Sequence, residues 1–411
     1  MTPAVVILGG GFGGLTAAAA LGDRARVTIV SDQNSLLFTP MLAEVAAGDL
    51  DPRHIITPIR QLVPNARVVA GAVESVDVAS RTVKVARPFG LQPIDIQADG
   101  IVVALGSVPA TYGVEGVAEW ALPFKTISDA LRIRNRILAL LETATEESDR
   151  RLTHVVIVGA GYSGAELAAA LADLLGEASR KFFTSAPRPA VTLVDAVDRV
   201  APTLSRRLSA KAEEALTRRG VDLVLGEKVE SVGRHGVTLE SGRQIEAETV
   251  VWAAGVRPNP LVEELGLPTE RGRLVVDGHL RAAPGVFALG DAALVPDGRG
   301  GISPPTAQFA LRQGKYLGKR LPALLAGARV PEFKYRNWGE LVSLGHRNAV
   351  GQVLGLPVSG FLGWFLYRSY YLLRLPSLMR KARVATDWAV DLVFPPDVAW
   401  LPSSDLGPDI R

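Results

Sequence analysis

Two glycine triplets carry the first chemical signal in this sequence. Gly9, Gly11 and Gly14 stand in the spacing G-x-G-x-x-G, and Gly159, Gly161 and Gly164 repeat it at an offset of 150 residues. Four apolar residues precede each triplet, Val5 to Leu8 and Val155 to Val158, and an alanine-rich stretch follows each one. Strand, glycine turn and helix in that order suit a dinucleotide. The first glycine allows the tight turn, the second lets the backbone approach a pyrophosphate, and the third lets the helix pack on the strand. The pyrophosphate then meets free N–H groups at the positive end of the helix dipole. One such motif is a weak signal. Two on one chain predict two nucleotides.

Each copy also offers an acid. The first unit continues to a second strand at 26–30, with Ser31 next and then Asp32; the second continues to 191–194, with Asp195 directly after it. An acid at the end of this strand binds ribose hydroxyls. Asp32 serves equally well as a turn-forming residue. Asp195 favours a free 2′-hydroxyl over a 2′-phosphate, because carboxylate and phosphate repel, so NADH is expected rather than NADPH. One of the aligned differences between the two helices brings in a charge: Glu166 stands where the first copy has Thr16. The helix dipole alone can account for a glutamate in a first turn.

The elements that must position these residues read as alternating strands and helices. Further strands are expected at 101–106, 221–225, 229–232, 237–239 and 249–255, with a meander over 67–87. Helices are expected at 127–142 and from the Pro304-Pro305 pair to about 325, since proline is tolerated at a helix start. The 181–190 segment, with Pro187 and Pro189, reads as a surface insertion in the second unit. The expected fold class is α/β with two Rossmann-like domains. The expected division is a first nucleotide domain at 1–110 and 275–330 with a linker helix at 111–150, a second at 151–274, and a C-terminal region at 331–411.

Composition excludes several function classes. The chain has 411 residues and no cysteine. Disulfides, thiolate metal sites and cysteine nucleophiles are therefore closed to it. The histidines, His54, His154, His235, His279 and His346, lack metal-ligand spacing and read as ordinary loop or surface residues; no metal is expected. A net charge of +3 gives no reason to expect nucleic acid. Residues 4–21 are uncharged, but five glycines and the lack of a preceding cation argue against a signal peptide or a span.

The C-terminal region differs in kind. It holds four of the six tryptophans, and no acid occurs between 341 and 386. Residues 360–376 mix leucines and aromatics with Arg368 and Arg374, and Arg380, Lys381 and Arg383 follow. That mixture suits a helix lying in a membrane interface, and its arginines argue against a span. Packing on the protein or in a dimer interface is the alternative.

With these motifs in place, the chain resembles the two-dinucleotide-binding-domain flavoproteins, the glutathione-reductase-like superfamily. Within it the chain is similar to the type II NADH:quinone oxidoreductases. The first fingerprint, Ala253-Ala-Gly255 and Gly290-Asp291 are shared across the superfamily, while residues 37–48 and 305–314 resemble the type II enzymes more specifically. The resemblance implies bound FAD, NADH as donor and a membrane quinone as acceptor. It places Asp291 on the flavin ribityl chain and Gln308 beside the flavin ring and quinone. It makes Glu166, with Gln308, the catalytic candidate, assisting hydride transfer or relaying protons. It further carries Phe12, Gly13, Thr39, Val73, Ala104, Gly106, Gly290 and Phe309 into the FAD set. Ala254 and Gly255 join the NADH set with Glu166 and Asp195. Arg312 stands where relatives often have glutamine. The resemblance also implies a peripheral protein on the cytoplasmic face of a bacterial inner membrane, with a homodimer formed through C-terminal elements. A soluble ferredoxin or rubredoxin reductase and a slow flavin-bound redox sensor remain alternatives.

Overall fold

The computed structural model describes residues 2–335, 337, 339–394 and 397–400. The chain folds as two compact units. Met1–Leu37, Ile56–Val108 and Val256–Asn337 form the first, and Phe38–Ile55, Pro109–Gly255 and Trp338–Arg411 the second. Residues 256–274, expected with the second nucleotide unit, group with the first; residues 38–55 and 111–150, expected with the first, group with the second. In chain order the helices that shape the two units are α1 (Phe12–Leu21), α2 (Leu42–Ala47), α3 (Ile127–Ala144), α4 (Tyr162–Lys181), α5 (Ala307–Leu325), α6 (Gly360–Arg374) and α7 (Leu378–Asp391).

In the first unit, the strand Ala4–Leu8 lies between Arg26–Ser31 and Gly100–Val103 in a six-stranded sheet, parallel to both. Val5 to Leu8 are buried almost completely. A parallel strand covered on both faces needs such an unbroken apolar run. Helix α1 reads FGGLTAAAAL and has hardly a polar atom to offer solvent. Its outer side is covered by α5, which comes in close at two glycines. A Cβ built at Gly314 would lie 2.3 Å from the Gly13 carbonyl oxygen, and one at Gly318 would lie 2.3 Å from that of Ala17. The expected meander over 67–87 divides in two. Arg67–Ala70 joins the parallel sheet, while Ala72–Asp77, Thr82–Ala86 and Ile94–Gln97 pair antiparallel.

The second unit repeats the plan. His154–Val158 lies between Ala190–Asp195 and Thr249–Trp252 in a five-stranded sheet whose strands run parallel. An antiparallel trio, Val229–Gly233, Gly236–Leu239 and Gln244–Glu246, sits beside it in sequence. Helix α3 starts with a capping box: Thr126 and Asp129 each accept from the other's backbone N–H. In the C-terminal region the helix expected at 360–376 is α6. The sequence reading missed a three-stranded antiparallel sheet, Gly339–Ser343, Ala349–Val353 and Leu356–Ser359, and a second helix, α7. Short strands broken by glycine, without clear alternation, leave a weak periodic signal.

Candidate functional site

The two glycine turns have the same backbone. Gly9 and Gly159 both have φ near 111°. Gly9 N–H donates to the Val30 carbonyl at 2.8 Å, and Gly159 N–H to that of Val194 at 2.7 Å. Packing dictates glycine at both. A Cβ at Gly9 would lie 2.3 Å from the Ala104 carbonyl oxygen, and one at Gly159 would lie 2.5 Å from Ala254 Cα. The third glycines are dictated by the turn itself, since a Cβ at Gly14 or Gly164 would meet the carbonyl oxygen of Gly9 or Gly159 at 2.3 and 1.8 Å. The middle glycines differ. A Cβ at Gly11 or Gly161 meets no described atom within 4 Å. Nothing in the protein's own packing excludes a side chain there. A group held against the helix N-terminus would exclude one, which is the test a dinucleotide pyrophosphate passes.

The strand-end acids are not equivalent. Asp195 Oδ2 accepts from Ala160 N–H at 2.5 Å and Oδ1 from Val197 N–H at 2.9 Å, so the carboxylate is pinned to the glycine turn. The matching residue of the first copy is Ser31, whose Oγ accepts from Gln33 N–H at 3.2 Å. Asp32 follows it and is exposed.

The first unit contains the other FAD candidates except one. Ser107 Oγ–H donates to Asp291 Oδ2 at 2.5 Å, fixing the Gly-Asp carboxylate. Gly290 N–H donates to Gln313 Oε1 at 2.8 Å, and a Cβ at Gly13 would meet Leu289. This ties α1, α5 and the Gly-Asp turn into one block. Gln308 is half-buried in the first turn of α5, and Phe309 is buried edge-to-face on Tyr335 with ring centroids 5.1 Å apart. Arg312 lies 5.3 Å above the same tyrosine ring, so its charge is seated on an aromatic face. Ala104 is buried, and Gly106 and Val73 are half-buried. Thr39 belongs to the second unit.

In the second unit Glu166, Ala170 and Asp173 share one face of α4. Residues seven apart are two turns apart, about 10 Å along the axis. Glu166 Oε1 accepts from Ser343 N–H at 3.1 Å. A cavity of about 20 Å³ is bounded by Glu166, Ala170, Glu44, Asp49, His346 and Arg368, together with Ala43, Ser343, Gly345, Trp364 and Tyr367. Burial pushes the Glu166 carboxyl up to about 8, against the pull of Ser343 N–H and the Tyr367 hydroxyl. Burial also raises Glu44, opposed by Arg368 and by Trp388 Nε1–H, which donates to Glu44 Oε2 at 2.5 Å. His346 is not the ordinary histidine expected. Its Nδ1 lies 3.2 Å from Asp173 and its Nε2 lies 3.4 Å from Asp391, and these bonds raise it to about 10.

Arg368 also departs from expectation. Its side chain is 13% exposed, 3.9 Å from Glu44 and 3.8 Å from Asp391. The guanidinium sits 4.7 Å from the Trp364 ring and 4.6 Å from that of Trp388. It is an internal cation, not an interfacial one. No acid is close to it in sequence because its partners come from α2 and α7. Glu44 lay inside a stretch already singled out, residues 37–48, but nothing local marked it as an arginine partner.

Over residues 3–314 the chain matches the pyridine nucleotide-disulphide oxidoreductase family, and it belongs to that family. It is 32% identical over 411 residues to the type II NADH:quinone oxidoreductase Ndh of Mycobacterium tuberculosis, covering 94% of this chain and 87% of that protein. It is 31% identical over 412 residues to a probable NADH dehydrogenase of Dictyostelium discoideum, covering 96% and 90%. Its fold is similar to that of NDH2 from Plasmodium falciparum, solved in complex with NADH, with a TM-score of 0.90 at 18% identity over 97% of this chain and 100% of that one. Within the family it is a member of the type II NADH:quinone oxidoreductases. The disulphide chemistry in the broader family's name is closed to a chain without cysteine.

Proposed function

We propose that this chain oxidises NADH and reduces a membrane quinone through bound FAD, without pumping protons. The observation that carries this reading is the pair of glycine turns with one backbone geometry, joined by Glu166 in the second copy alone. Bound FAD supplies the carrier that accepts two electrons as hydride from NADH and passes them to quinone. The first unit holds it through Gly9, Gly11 and the N-terminus of α1, with Asp291 fixed by Ser107 for the ribityl chain and Gln308 on the acceptor side. The second unit holds NADH through Gly159, Gly161 and the N-terminus of α4. The pinned Asp195 carboxylate selects against a 2′-phosphate. Quinone reduction consumes one proton beyond the hydride, and Glu166, pushed up to about 8 by burial, holds a proton at its carboxyl at neutral pH.

Among the described residues no helix is long and apolar enough to cross a membrane. The apolar residues of α6 are nevertheless partly unpartnered: Phe361 is 61% and Phe365 55% exposed. Leu373, Leu378 and Met379 are exposed as well, close in sequence to Arg374, Arg380, Lys381 and Arg383. Apolar groups flanked by cations favour a peripheral seat on a lipid surface, and we assign that seat to the cytoplasmic face of a bacterial inner membrane. The other occupant of such a face is a second copy of the chain.

The test is the spectrum of the purified yellow protein with NADH and then a short-chain quinone. NADH should bleach the flavin and quinone should restore it; NADH oxidation that quinone does not stimulate sinks the reading. For the surface, replacing Phe361 and Phe365 with serine should release the protein from vesicles. Light scattering of the same variant decides the dimer. Point changes are preferable to deleting the helix, because α6 also supplies Tyr367 and Arg368 to the Glu166 cavity.

A further inference from the structure

The cavity beside Glu166 contains more acid than its cations can neutralise. Glu44, Asp49 and Glu166 line it and Asp391 borders it, against Arg368, a charged His346 and Arg134 on the far side of Asp49. Four carboxyls beside three cations cannot all ionise in a partly dry site, so the cluster holds a proton at neutral pH. Most of its members are tied down. Glu44 accepts from Trp388 and faces Arg368. Asp391 faces Arg368 and His346. His346 is held by Asp173, itself beside Arg219 at 3.3 Å. Asp49 is different. It follows the Gly48 cap of α2, its N–H donates to the Glu44 carbonyl at 2.8 Å, and among the described residues no hydrogen bond or ion pair reaches its carboxyl.

The space between is polar and the right size. A cavity of about 20 Å³ has room for a water, which needs roughly 10–15 Å³ by the same measure and several polar partners. Ala43, Ala170 and Gly345 keep it open by contributing little side chain. Asp49 is half-buried as a residue, with its carboxyl turned into the protein, and it lines the cavity.

We propose that Asp49 hands protons to Glu166 through water held in this cavity. The inference rests on the quinone-reducing reading above. Per turnover, NADH, quinone and one proton give NAD⁺ and quinol. The solvent proton binds the Asp49 carboxyl, crosses by water to the Glu166 carboxylate, and refills the site that Glu166 empties towards the quinone. Asp49 is a positioning residue that acts through Glu166. Burial, with Asp391 and Glu44, pushes Asp49 up to about 8, beside a Glu166 raised to about the same value. Both carboxyls are pushed up in the same direction by burial, so each can hold and release a proton near neutral pH. The groups facing Asp49 are Glu44 on its own element, Arg134 on α3, Glu166 on α4, His346 in the turn after residue 343, Arg368 on α6 and Asp391 on α7.

The test separates the two halves of the reaction in Asp49→Asn holoenzyme. Bleaching of the flavin by NADH should stay within about twofold of wild type. Reoxidation by a short-chain quinone should slow about ten- to hundredfold, lose its pH dependence between about pH 6 and pH 9, and recover with added formate or in Asp49→Glu. An infrared titration of oxidised holoenzyme carrying carbon-13 aspartate gives a readout free of turnover: the Asp49 carboxyl should titrate above neutral pH and move lower in Glu166→Gln. Reoxidation at the wild-type rate, a slowed variant that formate leaves slow, or an Asp49 titration unmoved by Glu166→Gln overturns the relay. If wild type reduces no quinone, the functional reading itself fails, and the infrared titration decides the Asp49–Glu166 exchange alone.

Discussion

The first and second glycine turns are copies in backbone but not in what covers them. Both begin with a parallel strand at the centre of a sheet, bend at a glycine with φ near 111°, and continue as a helix. In the first copy the outer face of α1 is sealed by α5, through glycines that bring two backbones into contact. In the second, α4 is twice as long and turns a face of Glu166, Ala170 and Asp173 towards α2, α6 and the turn after residue 343. An apolar helix covered by glycine contacts is a fixture. A helix covered by carboxyls, an arginine and a small polar cavity has groups that can change charge. The two copies share the turn, and on the functional reading proposed above the aligned pair Thr16 and Glu166 is where their roles part.

The sharpest way to break this comparison is to damage each turn separately. Gly14→Val and Gly164→Val both drive a side chain into a carbonyl oxygen of the same turn, at 2.3 and 1.8 Å for the Cβ alone. If the copies hold different nucleotides, Gly14→Val should purify colourless. Gly164→Val should purify yellow, yet its flavin should no longer be bleached by NADH. Absorbance spectra before and after NADH suffice; two colourless proteins, or two that still bleach, would contradict the assignment.

A smaller loss should follow from Glu166→Gln, which keeps the shape and removes the titrating proton. General acid–base groups contribute about 10²–10⁴-fold, so quinone turnover should fall by about a hundredfold at neutral pH. The reciprocal change, Thr16→Glu, should add no turnover, because the first copy lacks the polar cover that Glu166 meets. Steady-state NADH oxidation with quinone measures both.

How far the sequence reading reached follows the same division. Glycine spacing and apolar runs are local, so the turns, the two central strands and the Thr16/Glu166 difference were legible. The helices at 127–142 and 360–376 were legible too, because amphipathic or apolar runs of that length leave a periodic trace. What was not legible is what tertiary contact makes. The roles of Arg368 and His346 come from partners on other elements, Glu44 among them more than 300 residues away in sequence. The strand-end positions, by contrast, were legible: the register makes Ser31 the counterpart of Asp195, with Asp32 one residue further on, as the spacing in the sequence has it.

The fixture can be probed more gently. Gly314→Ala places a methyl 2.3 Å from the Gly13 carbonyl oxygen, where the only relief is to part α5 from α1. Overpacking of this kind costs about 1–3 kcal/mol. The thermal midpoint of the first unit should drop accordingly while NADH affinity stays put; an unchanged midpoint would mean that the two helices are not in fixed contact.

The smallest effect expected is electrostatic and belongs to the second copy. Glu166 and Asp49, raised to about 8, and His346, raised to about 10, all bind protons more tightly folded than unfolded. Their contribution to stability is therefore fully present below their unfolded values, about 4 for the carboxyls and 6.5 for histidine, and is lost as pH rises through the folded ones. Asp173, which His346 and Arg219 hold below its ordinary value despite burial, acts the other way and loses its contribution only in strong acid. The second unit should thus be most stable in mildly acidic solution. Thermal midpoints should decline from about pH 5 to pH 10. His346→Gln should flatten the decline between about pH 6.5 and pH 10 and, by removing a cation beside Glu44 and Asp49, move the carboxyl part to higher pH. With its side chain 40% exposed, His346 is screened by water, and the change should stay within about 1 kcal/mol. A variant that flattens the acidic limb instead would move the proton-holding groups away from Glu166 and Asp49. The contrast between a fixed first copy and a titrating second one would then have to be redrawn.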